Sequence, residues 1–464
     1  MTQRTPRHRP SVARSARSNA RRGKAATRTR PQSSSARTHK ASSKAHYATP
    51  SIQSQPESLP QEGFTRRQLI LGGAGTVALL GAGGALVNGI RSCSRDVFDE
   101  NAIEVSQSDV FDLENFDEVD SDTIVEKFAE LSLPYRSLIW AATDEYAACL
   151  IPSQEGQHFS QAGIIRTADA SLDIVLESPI SSGRGWDIYD FRCSNRGIAW
   201  LEGNNFTKKW CIYHATYIDG ELGTPTLAKQ GSDEYELPQI VAVEGRAFWQ
   251  IMPAKNSDIT DCVLESVRFG GNDIEEVIRT SRRFATPPYA ATEGVVITPR
   301  SAEDSSSYKA ALIDAQSLEE ISSIVLPAGM APMEVGFIGS RFAIAFDAIY
   351  AYENGFSNLG TYISEDAFDA HNNQKWFRFD RNPSAPPAWL NNMLVVKSTY
   401  AISFIDIHNK HYSTLSVPSD SDNFGDYLAS SGTRLNIVTY AHIKNAEDDP
   451  HTLVRLWRPP LSPA

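Results

Sequence analysis

Residues 190–220 read DFRCSNRGIAWLEGNNFTKKWCIYHATYIDG. A short run ends at Cys193, and the polar turn Asn195-Arg196-Gly197 follows it. Two longer apolar runs come next, IAWLEG and CIYHATYI, and the stretch closes on a second turn at Asp219-Gly220. Short runs rich in β-branched and aromatic side chains, separated by turn residues, are typical of antiparallel strands. The stretch therefore predicts successive strands of one small sheet.

The same arrangement recurs from about residue 132 to residue 460. Glycines 197, 245, 294 and 339 each precede or open an apolar run and are 48, 49 and 45 residues apart. Gly432 follows after 93 residues, about two periods, and Asn391-Asn392 before MLVVKS occupies the missing place. With Asp144-Glu145-Tyr146 before AACLIP as the first landmark, seven copies result. Each copy holds a short strand before its landmark and further strands after it.

These units resemble the blades of the β-propeller superfamily, and they are more similar to Tol-type and WD-like blades than to true WD repeats. The likeness rests on residues 195–200 and 340–346 and on the turns at 218–220 and 313–315, and it covers about 330 residues. It implies an all-β, seven-bladed propeller over residues 132–460. Because the last copy is short, we expect a closing strand from within residues 123–133.

The N-terminal region has the opposite charge to the rest of the chain. Residues 1–67 carry fifteen Lys/Arg and two acidic side chains, a net charge of +13, which leaves −25 on the remainder. Residues 1–63 have almost no large aliphatic side chains, so we predict a disordered basic cytoplasmic tail. Attraction to the anionic inner leaflet is the favoured role of this tail. Nucleic-acid binding and an over-extended gene start are the alternatives.

A twin arginine stands before an apolar segment. Thr65, Arg66, Arg67, Leu69 and Ile70 follow the order of a polar residue, two arginines, any residue and two apolar residues. This resembles the signal of the twin-arginine translocation (Tat) pathway, and it implies a transient partner, the Tat translocase. The charge-free run that follows is rich in glycine, which opposes a packed core helix. Residues 64–92 are therefore predicted to be an export signal or membrane anchor.

The apolar run from Leu69 to Ile90 has 22 residues, and a helix of that length spans about 33 Å, enough for a bilayer core. An uncleaved anchor with its basic side in the cytoplasm agrees with the positive-inside rule. Cleavage and secretion, or lipidation of Cys93, are alternatives. Residues 93–131 are predicted to be an acidic linker, since residues 96–126 hold twelve acidic side chains and no basic one. The domain beyond it would lie outside the cytoplasm.

Few residues carry a recognisable chemistry. His408 and His411 are predicted to flank a surface bend, with metal binding as the alternative. Residues 420–426 lack the closing glutamate of a calcium loop and are predicted to be a solvated loop. Asp187 and Asp190 beside Trp186 and Tyr189 form a candidate sugar-binding patch, and core packing with an exposed loop is an equal alternative. Four cysteines of the main domain lie in apolar runs and are predicted to be buried rather than disulfide-bonded: Cys149, Cys193, Cys211 and Cys262. We assign no catalytic residue, metal or cofactor.

Two functions fit this organisation. The first is a non-catalytic protein, anchored in the cytoplasmic membrane, that presents a propeller face to an extracytoplasmic protein or glycan. The alternative is a propeller hydrolase or lyase for glycans or peptides, in which carboxylates near the central channel do acid–base work. The acidic domain argues against nucleic acid as a partner.

Overall fold

The computed structural model describes residues 102, 110–153, 158–346, 359–362, 376–378, 383–444 and 449–460. Strands dominate these residues, beside a helical turn, α1 (Ser121–Ile124), and a 3-10 turn, Leu113–Asn115. The all-β prediction is therefore confirmed. Within the described ranges, no helix has the length and apolar character needed to span a membrane.

Three strands precede the predicted repeat. They are β1 (Val110–Asp112), β2 (Asp117–Glu118) and β3 (Glu126–Pro134). Both short strands pair in parallel with later strands of the chain, and β3 pairs in antiparallel fashion with the last one. Part of the acidic segment thus takes part in the sheets of the main domain.

Four sheets follow in chain order, each formed by consecutive strands. Sheet 1 contains β4 (Leu138–Trp140), β5 (Tyr146–Pro152), β6 (Phe159–Arg166) and β7 (Leu172–Leu176). Sheet 2 contains β8 (Trp186–Cys193), β9 (Gly197–Asn204), β10 (Trp210–Ile218), β11 (Glu221–Leu222) and β12 (Thr226–Gly231). Sheet 3 contains β13 (Gln239–Val243), β14 (Arg246–Ile251), β15 (Cys262–Arg268) and β16 (Ile274–Thr280). Sheet 4 contains β17 (Tyr289–Ala290), β18 (Gly294–Ile297), β19 (Lys309–Asp314) and β20 (Glu320–Val325).

Of the remaining four sheets, one is a pair of consecutive strands, and the other three also contain strands from elsewhere in the chain. Sheet 5 is the pair β21 (Pro332–Ile338) and β22 (Arg341–Phe346). Sheet 6 joins β23 (Leu359–Tyr362) and β24 (Trp376–Arg378) to β1. Sheet 7 contains β25 (Ala388–Leu390), β26 (Met393–Lys397), β27 (Ile402–Asp406) and β28 (His411–Thr414), with β2 beyond β28 and β30 (Gly432–Arg434) beside β25. Sheet 8 contains β29 (Ser421–Leu428), β31 (Ile437–Ile443), β32 (His451–Arg458) and β3.

Tight turns set the register of the first two strands in several sheets. Gly339 and Ser340, with φ of 50° and 64°, connect β21 to β22, and Asn391, with φ of 55°, lies between β25 and β26. Two-residue connections with positive φ match the twist of the strands they join, which explains the preference for Gly and Asn there. The polar landmarks of the sequence repeat are these turns.

The sheets pack face to face in a closed circle. One apolar cluster joins sheets 1 and 2 through residues such as Leu150 and Trp200. Further clusters join sheet 2 to sheet 3, sheet 3 to sheet 4, and sheet 4 to sheets 5 and 7. Sheet 7 then packs on sheet 8, and sheet 8 on sheet 1. A ring of radially packed sheets is the propeller architecture.

The ring is closed by a strand from the N-terminal side of the domain. The outer strand of sheet 8 is β3, which pairs with β32 from Glu126 opposite Arg458 to Pro134 opposite His451. The chain then enters sheet 1, the next sheet of the circle. The predicted closing strand is thereby confirmed, and pairing of this kind protects a sheet edge that would otherwise be exposed.

The first strands of the sheets surround the centre, where β8 contacts β13, β13 contacts β17, β17 contacts β21 and β21 contacts β25. We call the end at which these strands begin the upper end, and the opposite one the lower end. At the lower end, residues 429–436 enter the centre between β29 and β31. The Gly432 landmark predicts a turn directly before an apolar strand, but Thr433 and Arg434 belong to β30, and β31 starts at Ile437. The predicted turn is in fact an insertion.

This central insertion contacts several sheets. It pairs in parallel with β25, and Ala141 of sheet 1 exchanges backbone hydrogen bonds with Ala429 and Ser431. The Gly432 N–H donates to the Tyr289 hydroxyl of sheet 4 at 2.5 Å. The Arg434 guanidinium donates to backbone carbonyls of Ser431, Thr433 and Ala142. The centre of the ring therefore contains a hydrogen-bonded segment of the chain itself, which enters from the lower end.

Candidate functional site

Glu334 lies near the upper end, on the innermost strand of sheet 5. It is the third residue of β21, opposite Ala345 of β22, and only 3% of it is exposed. No hydrogen bond or ion pair joins its carboxyl to another residue in the part of the chain that the structure describes. Burial alone raises the pKa of this carboxyl from 4.5 to about 8. At neutral pH Glu334 is therefore mostly a protonated acid.

A second titratable group lies at the same end, where β26 of sheet 7 stops. Lys397 is 5% exposed, and its amine donates to the Phe424 carbonyl at 2.9 Å. Burial lowers its pKa from 10.5 to about 8, although Asp426 and Asp422 favour the charged form. A lysine of this kind holds a neutral fraction near physiological pH, which an exposed lysine does not.

Asp426, on β29 of sheet 8, is fully buried beside Lys397. One carboxylate oxygen accepts a hydrogen bond from Arg455, while the other is buried and has no hydrogen-bond partner in the structure. Burial raises the pKa of Asp426, and the charges of Arg455 and Lys397 act against that rise. Asp426 and Arg455 thus form a buried ion pair in which one carboxylate oxygen could still accept a hydrogen bond.

Aromatic side chains adjoin these charges. The rings of Tyr427 and Tyr440 are stacked with centroids 4.9 Å apart, and His442 lies 5.1 Å from Tyr427. The Lys397 amine lies 5.4 Å from the Tyr427 ring centroid, and the Tyr427 hydroxyl donates to Asp422 at 3.3 Å. Burial lowers the pKa of His442 to about 4, so this imidazole is neutral at pH 7.

Glu334 on sheet 5 and the Lys397–Asp426 group on sheets 7 and 8 are therefore the candidate functional groups of the upper end, and within the described residues no hydrogen bond or ion pair joins Glu334 to Lys397. Glu334 supplies a proton that is available at neutral pH, and Lys397 supplies an amine that can accept one. Titratable groups perturbed by desolvation are typical of acid–base sites. No set of three or more His, Cys, Asp or Glu side chains within the described ranges is arranged to hold a metal.

The predicted sugar-binding patch on sheet 2 is divided between different partners. Asn205 donates to the Asp187 carboxylate at 2.6 Å and accepts from the Tyr189 hydroxyl at 2.5 Å. Asp190 instead pairs with Arg192 at 2.7 Å, and that guanidinium covers the Trp140 ring. These contacts fix the loop after β9 and the packing of sheet 2 on sheet 1. A structural role therefore explains Asp187, Tyr189 and Asp190.

The other sequence predictions have mixed outcomes. His408 and His411 do flank an exposed turn, in which Asn409 is bound to Asp406. The four cysteines are buried and free, as predicted, and burial raises the pKa of Cys149 and Cys193 to about 12. Residues 421–426 belong to β29 rather than to a solvated loop, so that prediction was wrong. Asp426 is buried where sheet 8 packs on sheet 7, and the sequence does not indicate that burial.

The export-signal residues Arg66, Arg67, Leu69 and Ile70 lie outside the described residues, as does Cys93. The same holds for the basic tail over residues 1–63 and for the anchor over residues 64–92. These assignments stay predictions.

Sequence reasoning missed Glu334 and Lys397. A signal was present, since each is a lone charged residue in or next to a strongly apolar strand, PMEVGFI for Glu334 and MLVVK for Lys397. Many strands end in a lysine, however, and the sequence gives no means of knowing which charged side chains are covered by a neighbouring sheet.

No family model and no curated protein matches the chain. Solved structures do resemble it. The β-propeller domain of the Trilobed protease from Pyrococcus furiosus matches with a TM-score of 0.41 and 8% identity, over 71% of this chain and 94% of that one. Pyrococcus horikoshii acylaminoacyl peptidase gives 0.39 and 9%, over 67% and 49%. A Mycobacterium tuberculosis puromycin-hydrolyzing peptidase gives 0.41 and 10%, over 66% and 50%.

At these identities the likeness concerns the fold, and the chain adopts a β-propeller fold. It spans about half the length of the two peptidases named last. The comparison also corrects the functional prediction. We expected a non-catalytic binding protein, but the solved structures that the chain resembles include propeller domains and whole chains of peptidases.

Proposed function

We propose that the chain is a propeller hydrolase or lyase that acts on glycans or peptides, with its acid–base chemistry at the upper end of sheets 5, 7 and 8. The observation that carries the proposal is Glu334, a buried carboxyl with no partner among the described residues. Burying an ionisable group without compensation costs several kcal/mol. A group kept at such a cost is a candidate for function, because a neutral carboxylic acid can donate a proton at pH 7.

In this proposal Glu334 is the general acid. It donates its proton to the departing oxygen or nitrogen as the glycosidic or peptide bond breaks. In hydrolysis, water gives its hydroxide to the electrophilic carbon and its proton to a base. Lys397, on a neighbouring sheet at the same end, is the candidate base, because roughly a tenth of it is neutral at pH 7 when its pKa is about 8.

The proposal includes the number of blades and the type of repeat. Sheet 6 follows sheet 5 in the chain, and β22 contacts β23. If sheets 5 and 6 form one blade, the eight sheets make seven blades of the Tol-type or WD-like kind, the number derived from the sequence repeat.

Location is also part of the proposal. We place the catalytic domain outside the cytoplasm, delivered by the Tat translocase through Arg66 and Arg67. Residues 64–92 then serve as an uncleaved membrane anchor or a cleaved signal, behind the basic cytoplasmic tail and before the acidic linker. Changing both arginines to lysine should leave the protein in the cytoplasm, as measured by protease accessibility in spheroplasts. Unchanged export of the double variant would refute the signal.

Activity is tested with the full-length protein on a panel of fluorogenic peptides and glycosides. Glu334→Gln keeps the shape of the side chain but removes the proton, and we expect kcat to fall by roughly 100-fold or more. Activity of the unchanged protein should decline as pH rises above about 8, where Glu334 ionises. The exposed Glu303→Gln is the matched control. Equal turnover by both variants, or no turnover of any substrate by the unchanged protein, would contradict the proposal.

A further inference from the structure

The innermost strand of sheet 8 leaves its ladder near the upper end. Ser421 pairs with Ile443 of β31, but the next pair is Asp426 with Ala441. Residues 422–425 therefore oppose the single residue His442. Bulges of this kind bend a strand and redirect its side chains, and they are frequent beside active sites. We call residues 422–425 the β29 bulge.

The bulge presents aromatic rings to solvent. Phe424 is 57% exposed, and Tyr400, from the loop after β26, is 45% exposed. Gly425 has a φ of 61°, and a Cβ there would lie 2.2 Å from the Tyr400 carbonyl oxygen and 2.8 Å from its ring. Only glycine fits, so the local sequence brings the Tyr400 ring against the bulge. Exposed apolar groups that adjoin one another often mark binding sites.

Polar contacts hold the bulge in place. The Phe424 N–H donates to the Asp422 carboxylate at 2.9 Å, and the Phe424 carbonyl accepts from Lys397 at 2.9 Å. The Phe424 ring lies 6.3 Å from that of Tyr427, which is itself stacked on Tyr440. The exposed rings are thus anchored by a buried network, and little ordering entropy remains to be lost on binding.

We infer that the β29 bulge and Tyr400 form a saccharide-binding subsite. The inference rests on the proposed function and selects glycans from its two substrate classes. A pyranose ring has a face of C–H groups that packs on an aromatic ring, and hydroxyls at its rim that bind carboxylates and amides. The exposed rings offer the first contact, and Asp422 and Asn423 offer the second.

A peptide is less well matched to the same surface. Extended peptides bind to sheets mainly by continuing the backbone ladder at a strand edge. The bulge interrupts that ladder over residues 422–425, so no regular edge exists where the rings are exposed. Ring stacking and side-chain hydrogen bonding remain, and both suit a sugar.

Binding is measured by titration calorimetry of the full-length protein with three probes: chitohexaose, cellohexaose and an alternating Ala-Pro hexapeptide. We expect at least one of the oligosaccharides to bind. Phe424→Ala and Tyr400→Ala should each weaken that binding roughly tenfold. About half of each side chain is exposed, so the thermal stability of the variants should change little. Phe206→Ala removes a 66% exposed ring from sheet 2 and is the matched control.

The inference is overturned if neither oligosaccharide binds, if Phe206→Ala weakens binding as much as Phe424→Ala, or if only the peptide binds through Phe424. Glu334→Gln separates this result from the fate of the proposed function, because it leaves the bulge intact. Saccharide binding that depends on Phe424, in a protein without hydrolytic or lyase activity, would keep the subsite and reject the enzyme.

Discussion

The two ends of the innermost strands differ in how their buried charged groups are hydrogen-bonded. At the lower end, the Arg434 guanidinium donates from all three of its nitrogens to backbone carbonyls, and the backbone of the insertion is bound to sheets 1, 4 and 7. At the upper end, Glu334 has no partner among the described residues, and one Asp426 oxygen is buried without one. The Asn436 Oδ1 of the lower end is also buried without a partner, so the difference concerns the charged groups: Arg434 is fully hydrogen-bonded, whereas Glu334 and Asp426 keep unused capacity.

The difference indicates where to look for function in a ring of similar sheets. A polar group that is buried and satisfied needs only a structural explanation, because its hydrogen bonds offset its desolvation. A buried group without partners destabilises the fold unless something else requires it. Glu334 and one oxygen of Asp426 are buried groups of this kind, and both lie at the upper end, where the candidate site was assigned.

The largest effect is expected at Glu334, in the pH dependence of stability. Its pKa is about 8 in the folded protein and near 4.5 in the unfolded chain, so the folded state holds a proton that the unfolded state has lost. Stability should therefore fall as pH rises from about 4.5 to 8, by about 5 kcal/mol in total. In Glu334→Gln this decline should be absent.

Urea unfolding at pH 5 and pH 8.5 measures it. Glu303→Gln, a change at an exposed carboxyl, should leave the pH dependence of the unchanged protein intact. A Glu334→Gln profile that follows the unchanged protein would show that the upper end is as well satisfied as the lower one.

A smaller effect is expected at the lower end. Arg434→Ala removes a buried guanidinium that donates to three partly buried carbonyls, and we expect a loss of about 3 kcal/mol in the free energy of unfolding. The neighbouring Leu435 is 77% exposed, and Leu435→Ala should cost less than about 0.5 kcal/mol. Denaturation of both variants under one set of conditions gives the contrast. Similar values for the two would mean that the insertion is not a structural element.

An effect of about the same size is expected for His442, at the upper end. Burial lowers its pKa to about 4, against about 6.5 in the unfolded chain, so protonation favours unfolding. The free energy of unfolding should decline by about 3 kcal/mol as pH falls from 6.5 to 4. In the His442→Gln variant this part of the decline should be absent. His408→Gln, at an exposed turn, is the control. His214, whose pKa burial also lowers, should keep part of the acid sensitivity in every variant.

The fold was largely predictable because its turns are written in the sequence. Glycine and asparagine landmarks such as Gly339 and Asn391 coincide with positive φ, and the apolar runs after them are the second strands of their sheets. The closing strand followed from the short last copy. The insertion at residues 429–436 was not predictable, because Ser431-Gly432-Thr433 resembles the other landmarks and only its contacts with sheets 1, 4, 5 and 7 distinguish it.

The candidate site was less predictable for a physical reason. The pKa of Glu334 depends on the burial of its carboxyl, which the residues next to it in the sequence do not determine. Residues 420–426 were interpreted as a loop because Asp and Asn dominate them, whereas their place in sheet 8 is set by pairing with β31. Sequence periodicity predicts individual strands, whereas the burial of these side chains depends on how strands from different sheets pack together.

The pairing of β3 with β32 has a consequence for the order of folding. Glu126 and Arg458 are neighbours in the sheet although more than three hundred residues separate them in the chain. The circle cannot be completed until the C-terminal strands have left the ribosome, and before that time the apolar faces of sheets 1 and 8 lack their cover. Contacts of such long range slow folding. We therefore expect the nascent chain to expose apolar surface for a time, and such surface is prone to aggregation and is bound by chaperones.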